Sequence, residues 1–345
     1  MPQLDGLRAI LVLAVMYTHY LPKPYWILSI HWGGWAVRVF FIISGFLMTQ
    51  ILLHKRETCP VNARERYQII KKFYIKRFLR LAPVFYLALL FMYIFNVPNT
   101  RETFWWHIFY LSNIHFAITN SYHQYVAHLW SLAVEFQFYL VWPLVMLFLS
   151  KKAIFISILV AVPAVLAYRF LCPILGVPEI AMWVLPPYSL DALLLGALLA
   201  LLSHHGKISS NDWWFKICAW SGATITVFGG HIFGSSENLV HTGPTLLAIF
   251  FSWVVLRAAE GGEGRPWKIL QNKTWVNIGK ISYGIYVFHL AVQYLLEPKL
   301  KTLFSTTNAW TDIGTAMTMM LISTALATIS WRYFEEPINR YRRHF

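Results

Sequence analysis

The sequence predicts an all-α membrane protein, a polytopic bundle of about ten transmembrane helices with one additional re-entrant or interfacial segment. Three observations carry that reading. Of 345 residues, 57% are hydrophobic and 17% aromatic while only 13% are charged, far from the balance of a soluble domain. Apolar windows of the roughly 20 residues that cross a hydrocarbon core of about 30 Å recur along the whole chain. The basic residues sit between those windows rather than on a separate polar domain, so the formal charge of +14 reports topology and argues against nucleic-acid binding.

Taken in order, the expected spans fall near residues 4–20, 34–54, 80–97, 129–149, 152–171, 181–203, 213–232, 239–258, 276–296 and 311–333. The opening "MPQLDGLR" has one basic residue and no small-residue cleavage site after it, which predicts an uncleaved first helix rather than a removed signal peptide. In the second span, "AVRVFFIISGF" carries Arg38 and a Ser44/Gly45 step suited to close helix contact. Between the second and third spans, residues 54–80 form a basic amphipathic stretch expected to rest on anionic headgroups at the cytoplasmic face.

Positive-inside bookkeeping fixes the orientation. With ten spans and a cytoplasmic N-terminus, 23 Lys and Arg fall inside and five fall outside, namely Lys23, Arg101, Arg169, Lys299 and Lys301. Counting "TFWWHIFYLSNIHFAI" at 103–118 as a crossing would move the C-terminal "RYRRHF" and the 257–273 cluster outside. This stretch, interrupted by Asn113 and His115, is therefore expected to be re-entrant or interfacial on the outer side. Both termini are expected in the cytoplasm. No loop is long enough for a second domain and no repeat is visible, so residues 1–345 read as one transmembrane domain. Cys59, Cys172 and Cys218 lack CxxC or Cys/His spacing, and neither a metal site nor a disulfide framework is expected.

Ionisable groups at membrane depth cost about 2.5 to 3.5 kcal/mol each on insertion scales, so they face a cavity, a partner or a substrate. At about 100° and 1.5 Å per residue, the step from Arg8 to His19 leaves both within about 20° on one helix face and about 16 Å apart. They share a face without touching, and Asp5 is placed to pair with Arg8. In "HLWSLAVEFQFYLVWP", His128, Ser131, Glu135 and Tyr139 form one polar stripe. Ser282, Tyr286, His289 and Gln293 repeat that spacing in "ISYGIYVFHLAVQ". For the first stripe a functional site is favoured over a hydrogen bond to a neighbouring helix, because a carboxylate is costly at membrane depth, whereas for the second helix packing fits at least as well as catalysis. "YSLDALLLG" adds Asp191 within a span. In "KRFLRLAP", Arg77 and Arg80 lie one turn apart, so both guanidinium groups can reach one anionic ligand, a donor phosphate or a lipid phosphate.

A base-capable histidine, a buried carboxylate and an inner basic pair together fit transfer of an acyl group from a phosphate-bearing cytoplasmic donor better than hydrolysis. No GxSxG, metal-ligand His/Glu spacing or Gly-rich phosphate loop competes with it. Buried Arg, His, Glu and Asp also mark ion pathways, so a proton-coupled transporter or flippase is the alternative, although no pair of Gly/Pro-broken helices or inverted repeat supports it. A non-catalytic membrane scaffold would not need Arg8 and His19 aligned.

In seven pieces taken in order, the chain resembles the acyltransferase-3 family of integral membrane acyltransferases. These are "LDGLRAILVLAVMYTH", "GGWAVRVFFIISGFL", "KRFLRLAP", "HLWSLAVEFQFYLVWPL", "LDALLLG", "KISYGIYVFH" and "WRYFEEP". The resemblance implies acetyl-CoA or another acyl-CoA as cytoplasmic donor, with no permanently bound cofactor. It implies O-acylation of a cell-surface or exported carbohydrate or a lipid-linked glycan, in the inner membrane of a bacterium and among membrane lipids. The family's Arg-x10-His motif falls on Arg8 and His19, its Arg-x-x-Arg motif on Arg77 and Arg80, and its glutamate on Glu135. His19 and Glu135 are then expected to be catalytic, and Arg8, Arg77 and Arg80 to bind acyl-CoA. Asp5, Arg38, His128, Ser131, Asp191, Tyr286 and His289 are expected to support the site or hold the acceptor. Some members carry a C-terminal hydrolase-like domain, and this chain is expected to be the form without it. Sugar contacts would come from outer aromatics such as Trp26, Trp32, Trp105, Trp106 and Tyr122, which also suit an interfacial belt.

Overall fold

Helices are the only regular elements among the described residues, as lipid demands of a backbone whose polar groups must be satisfied internally. The structure is a computed structural model that describes residues 1–21, 32–58, 62–233, 237–303 and 308–341. Lys23, Trp26, Cys59, Arg342 and Arg343 lie outside the described residues.

The first half of the chain forms α1 (Pro2–Tyr20), α2 (Trp32–Thr58), α3 (Ala63–Ile94), α4 (Phe104–Ile108), α5 (Ser112–Thr119), α6 (Leu129–Phe148) and α7 (Lys151–Ile174). The second half forms α8 (Glu179–Val184), α9 (Pro186–His204), α10 (Trp213–Phe233), α11 (Glu237–Ala259), α12 (Arg265–Leu270), α13 (Lys273–Lys280) and α14 (Ser282–Leu303). It closes with α15 (Ala309–Ser330), a π-helical turn at Trp331–Glu335, and α16 (Glu336–Tyr341).

Seven stretches among the described residues are long and apolar enough to cross a membrane: α2, α3, α6, α7, α8 with α9, α11, and α15 with the segment after it. The protein is an integral membrane protein. The other three expected spans correspond to α1, α10 and α14, of 19, 21 and 22 residues, which are not among the seven. In α1 and α14 the polar stripes themselves lower the hydropathy. Lipid-facing surface is plain on α7, where Ile156, Leu159 and Val160 are exposed. By contrast α14 is buried on every side from Gly284 to Gln293, which makes it a central post of the bundle.

The basic stretch 54–80 is not a separate interfacial helix. Residues 54–58 complete α2, and residues 63–80 belong to the 32-residue α3, which runs unbroken into the span. Asn62 starts α3 by accepting from the Glu65 amide at 2.9 Å, and no proline follows until Pro83, so nothing stops the helix at the expected boundary. The opposite happens at 181–203. Pro186 forces Leu185 into an extended conformation (φ −78°, ψ 148°), splitting this span into α8 and α9.

At 103–118 the chain forms α4 and α5, of five and eight residues, each too short to cross. Between them Tyr110 adopts a left-handed φ of 54°, held by its ring stacked between Phe85 and Phe136 at 4.3 and 4.1 Å.

Two pairs of glycines bring helices into backbone contact. A Cβ on Gly45 would stand 1.9 Å from the Leu193 carbonyl oxygen, and one on Gly196 would stand 2.1 Å from that of Ile42, so α2 and α9 cross with no room for a methyl group. At the start of α1, a Cβ on Gly6 would meet the Leu270 oxygen at 2.1 Å, and one on Gly279 would meet the Asp5 oxygen at 1.8 Å. The first turn of α1 is thereby seated on α12 and α13.

Candidate active site

A cavity of about 490 Å³ opens at the end of the bundle where α1 begins, walled by α1, α2, α3, α6, α14 and the C-terminal segment. Arg8, Arg77 and Arg80, expected to act together on an anion, all line it, joined by Lys280 and Arg340. The glycine seats beneath Gly6 and Gly279 fix the height of Arg8, whose Nη1 donates to Asp5 Oδ1 at 2.9 Å. On α3, Arg77 lies over the Tyr139 ring at 5.5 Å, so its guanidinium is braced by an aromatic face.

Glu135 stands on the far wall of the same cavity. It accepts from Ser44 Oγ and, at 2.5 Å, from Tyr139 OH. Glu135 is therefore held by α2 and its own helix, and makes no hydrogen bond to His19. Ser131 and Tyr286 also line the cavity and share a hydrogen bond of 2.7 Å.

His19 lies outside this cavity. Its ring sits 5.1 Å from that of His289, which in turn sits 5.1 Å from that of His128. Tyr286 joins the two regions, since its ring lies 5.6 Å from both His128 and His289 while its hydroxyl meets the cavity wall at Ser131. The contact between α1 and α14 is pinned from both sides. Tyr20 OH donates to the His289 carbonyl at 2.7 Å, and Gln293 Nε2 donates to the His19 carbonyl at 2.8 Å.

Arg38 and Asp191 do not line the cavity. Arg38 Nη2 donates to both oxygens of Asp191, at 2.7 and 2.8 Å. Asp191 also accepts from Arg169 at 2.9 Å and from Thr245 at 2.6 Å. Arg169, counted among the outer charges, is fully buried in α7, because the Asp191 carboxylate and the Tyr188 carbonyl satisfy it there. Arg38 is occupied by the same carboxylate, which explains why it stands away from the cavity.

Several lining residues escaped sequence reading. Lys280, Tyr283 and Glu335 belong to the quoted pieces "KISYGIYVFH" and "WRYFEEP", yet lacked a spacing that would single them out. Among the outer aromatics, Trp32, Trp105, Trp106 and Tyr122 do not line the cavity, and Trp105 is exposed. One group with metal-ligand character occurs among the described residues: Glu57, His204 and His205, exposed, with ligand atoms within 4.8 Å of one another. Lys151 at 2.9 Å and His204 at 2.5 Å already hold one oxygen each of Glu57, so the group is satisfied as an ion-pair cluster.

Residues 1–332 match the sequence profile of the acyltransferase domain known as acyltransferase-3. The chain belongs to the acyltransferase-3 family. Acyltransferase-3 relatives among curated proteins include the peptidoglycan O-acetyltransferase OatA of Listeria monocytogenes, 28% identical over 98% of this chain and 56% of that protein. The putative peptidoglycan O-acetyltransferase YrhL of Bacillus subtilis is also 28% identical, over 98% of this chain and 54% of its own length. The O-acetyltransferase OatA of Staphylococcus aureus is 26% identical over 99% and 57%. The chain thus spans a little over half the length of these acyltransferase-3 proteins. No solved structure matches it.

Proposed function

We propose that this chain is a membrane-embedded acyltransferase that moves an acyl group, acetyl from acetyl-CoA, to a hydroxyl of a cell-surface carbohydrate. The observation that carries the reading is the convergence of Arg8, Arg77, Arg80 and Lys280 on one cavity at the end where α1 begins. Guanidinium groups one turn apart suit the phosphates of a nucleotide-derived donor, and the apolar wall of Val37, Phe40 and Leu47 suits its pantetheine arm. The excess of Lys and Arg assigned to that side supports reading it as cytoplasmic, with both termini inside, in the inner membrane of a bacterium. The names of the relatives favour peptidoglycan as the acceptor class.

In this reading His19 acts as the general base on the acceptor hydroxyl or takes the acyl group transiently itself. A neutral imidazole offers one nitrogen lone pair, which serves either role. As the acceptor oxygen bonds to the acyl carbon, the carbon–sulfur bond breaks and the proton removed from the hydroxyl passes through His19 to the departing thiolate. Glu135 supports charge and position on the cavity wall, and Arg8 guides the donor.

The test uses purified protein in lipid nanodiscs with CoA, acetyl-CoA and radiolabelled acetyl-CoA. CoA is expected to stabilise the protein, by about 2.7 kcal/mol at a hundredfold excess over Kd, and Arg77→Ala with Arg80→Ala to abolish the effect. Membranes are expected to incorporate base-labile label into envelope glycan, and His19→Ala and Glu135→Gln to remove it. No thermal response to CoA would defeat the donor assignment. Wild-type labelling by His19→Ala would defeat the catalytic one.

A further inference from the structure

His289 is fully buried, and its Nδ1 lies 2.6 Å from the Tyr286 carbonyl oxygen. A carbonyl only accepts, so Nδ1 carries the proton and Nε2 is a bare lone pair. Among the described residues, that Nε2 has no hydrogen-bond partner. His128 repeats the arrangement with its nitrogens exchanged. Its Nε2 meets the Val287 carbonyl at 3.1 Å, so its Nδ1 is bare, and it too is buried and unpartnered among the described residues. The backbone of α14 thus fixes both tautomers so that each ring offers an acceptor. Unpaired buried acceptors are rare in folded proteins, and two in adjoining rings call for a donor. The ring of His19 stands 5.1 Å from that of His289, in a contact clamped by Tyr20 and Gln293.

We propose that His289 is the positioning residue for His19, its bare Nε2 accepting the His19 N–H that faces away from the acceptor hydroxyl, with His128 as a second acceptor behind it. The inference rests on the acyltransferase reading with His19 as base. His289 fixes the reacting tautomer and supports His19 while it holds the proton between the acceptor oxygen and the CoA thiolate. His289 itself neither gains nor loses a proton. A neutral imidazole does here what a carboxylate does behind many catalytic histidines, without placing another uncompensated charge at membrane depth. Glu135, the carboxylate the sequence offers for that task, is committed to Ser44 and Tyr139.

Two variants of the full chain separate this role from packing. His289→Phe keeps an aromatic filler and removes the acceptor, while His289→Gln keeps an acceptor. His289→Phe is expected to lower acetyl transfer about 10²-fold, the scale of a general-base contribution, with the thermal response to CoA retained. His289→Gln is expected to recover most of the loss. Solid-state 15N spectra of histidine-labelled wild-type protein in bilayers give a readout that needs no acceptor, and should show Nδ1 protonated and Nε2 bare at His289. Full activity in His289→Phe, or a protonated Nε2, would overturn the proposal. A wild-type protein that transfers nothing from acetyl-CoA, with the expected spectrum, would instead overturn the acyltransferase reading and remove the role while leaving the tautomer assignment in place.

Discussion

The backbone of Asp5 rests directly on Gly279, where even a methyl group would fall 1.8 Å from the Asp5 carbonyl oxygen. Because the Asp5 carboxylate holds Arg8 at 2.9 Å, this contact sets where the Arg8 guanidinium enters the cavity.

Gly279→Ala is therefore expected to lift the start of α1, costing about 1–3 kcal/mol of stability as an overpacked contact and weakening the thermal response to CoA. Gly34→Ala is the control, since a Cβ there meets nothing within 4 Å. Thermal unfolding of both variants with and without CoA decides the matter. Equal behaviour would show that α1 tolerates displacement.

Asp191 is the counter-ion shared by two buried arginines, so its loss leaves both without one. Asp191→Asn is expected to destabilise by about 3–5 kcal/mol, and adding Arg38→Met to recover part of that. Denaturation in a mild detergent would measure both. An unchanged midpoint for Asp191→Asn would mean that the arginines find other partners.

Lys280 lines the cavity beside the three arginines, although no motif spacing marks it. Lys280→Ala is expected to weaken CoA binding about tenfold, equivalent to about 1.4 kcal/mol, while leaving stability without ligand unchanged. Calorimetric titration of CoA into nanodiscs reads the difference directly, and equal affinity would remove Lys280 from the donor site.

A pH dependence follows from His107, in the segment between α3 and α6. Burial, with His115 and His123 adding repulsion, pushes its imidazole down to about 3, and Thr103 and Ser112 hold its two nitrogens at 2.7 Å each. An unfolded histidine titrates near 6.5, so between about 6.5 and 3 the unfolded chain binds the extra proton. Stability is then highest above that window and falls as pH drops through it. His107→Gln should flatten the slope when unfolding is followed from pH 7 to 5. An identical slope would place the acid sensitivity elsewhere.

Periodicity found the polar stripes because a helix repeats every 3.6 residues whatever surrounds it. It placed Arg8, Arg77, Arg80, Ser131, Glu135 and Tyr286, which share one cavity in the folded chain. What spacing within one helix does not encode is which stripe faces which neighbour. Spacing therefore did not reveal that Glu135 meets Ser44 of α2, or that Arg38 meets a carboxylate 153 positions away. The burial of Arg169 was hidden for the same reason. A charge near the end of an expected span reads as a solvent-facing one until its partner on another helix is known. The break at Leu185 was available from Pro186, whereas the merger of residues 54–80 into α2 and α3 depended on the missing breaker between Asn62 and Pro83.

The shared Asp191 also bears on how the chain enters the membrane during synthesis. Arg38 and Arg169 emerge from the ribosome before the one carboxylate that both pair with, and neither is stable alone in hydrocarbon. Until α9 arrives, α2 and α7 carry cations without counter-ions. Their release into lipid is expected to wait for α9, so that these three helices are committed together rather than one by one.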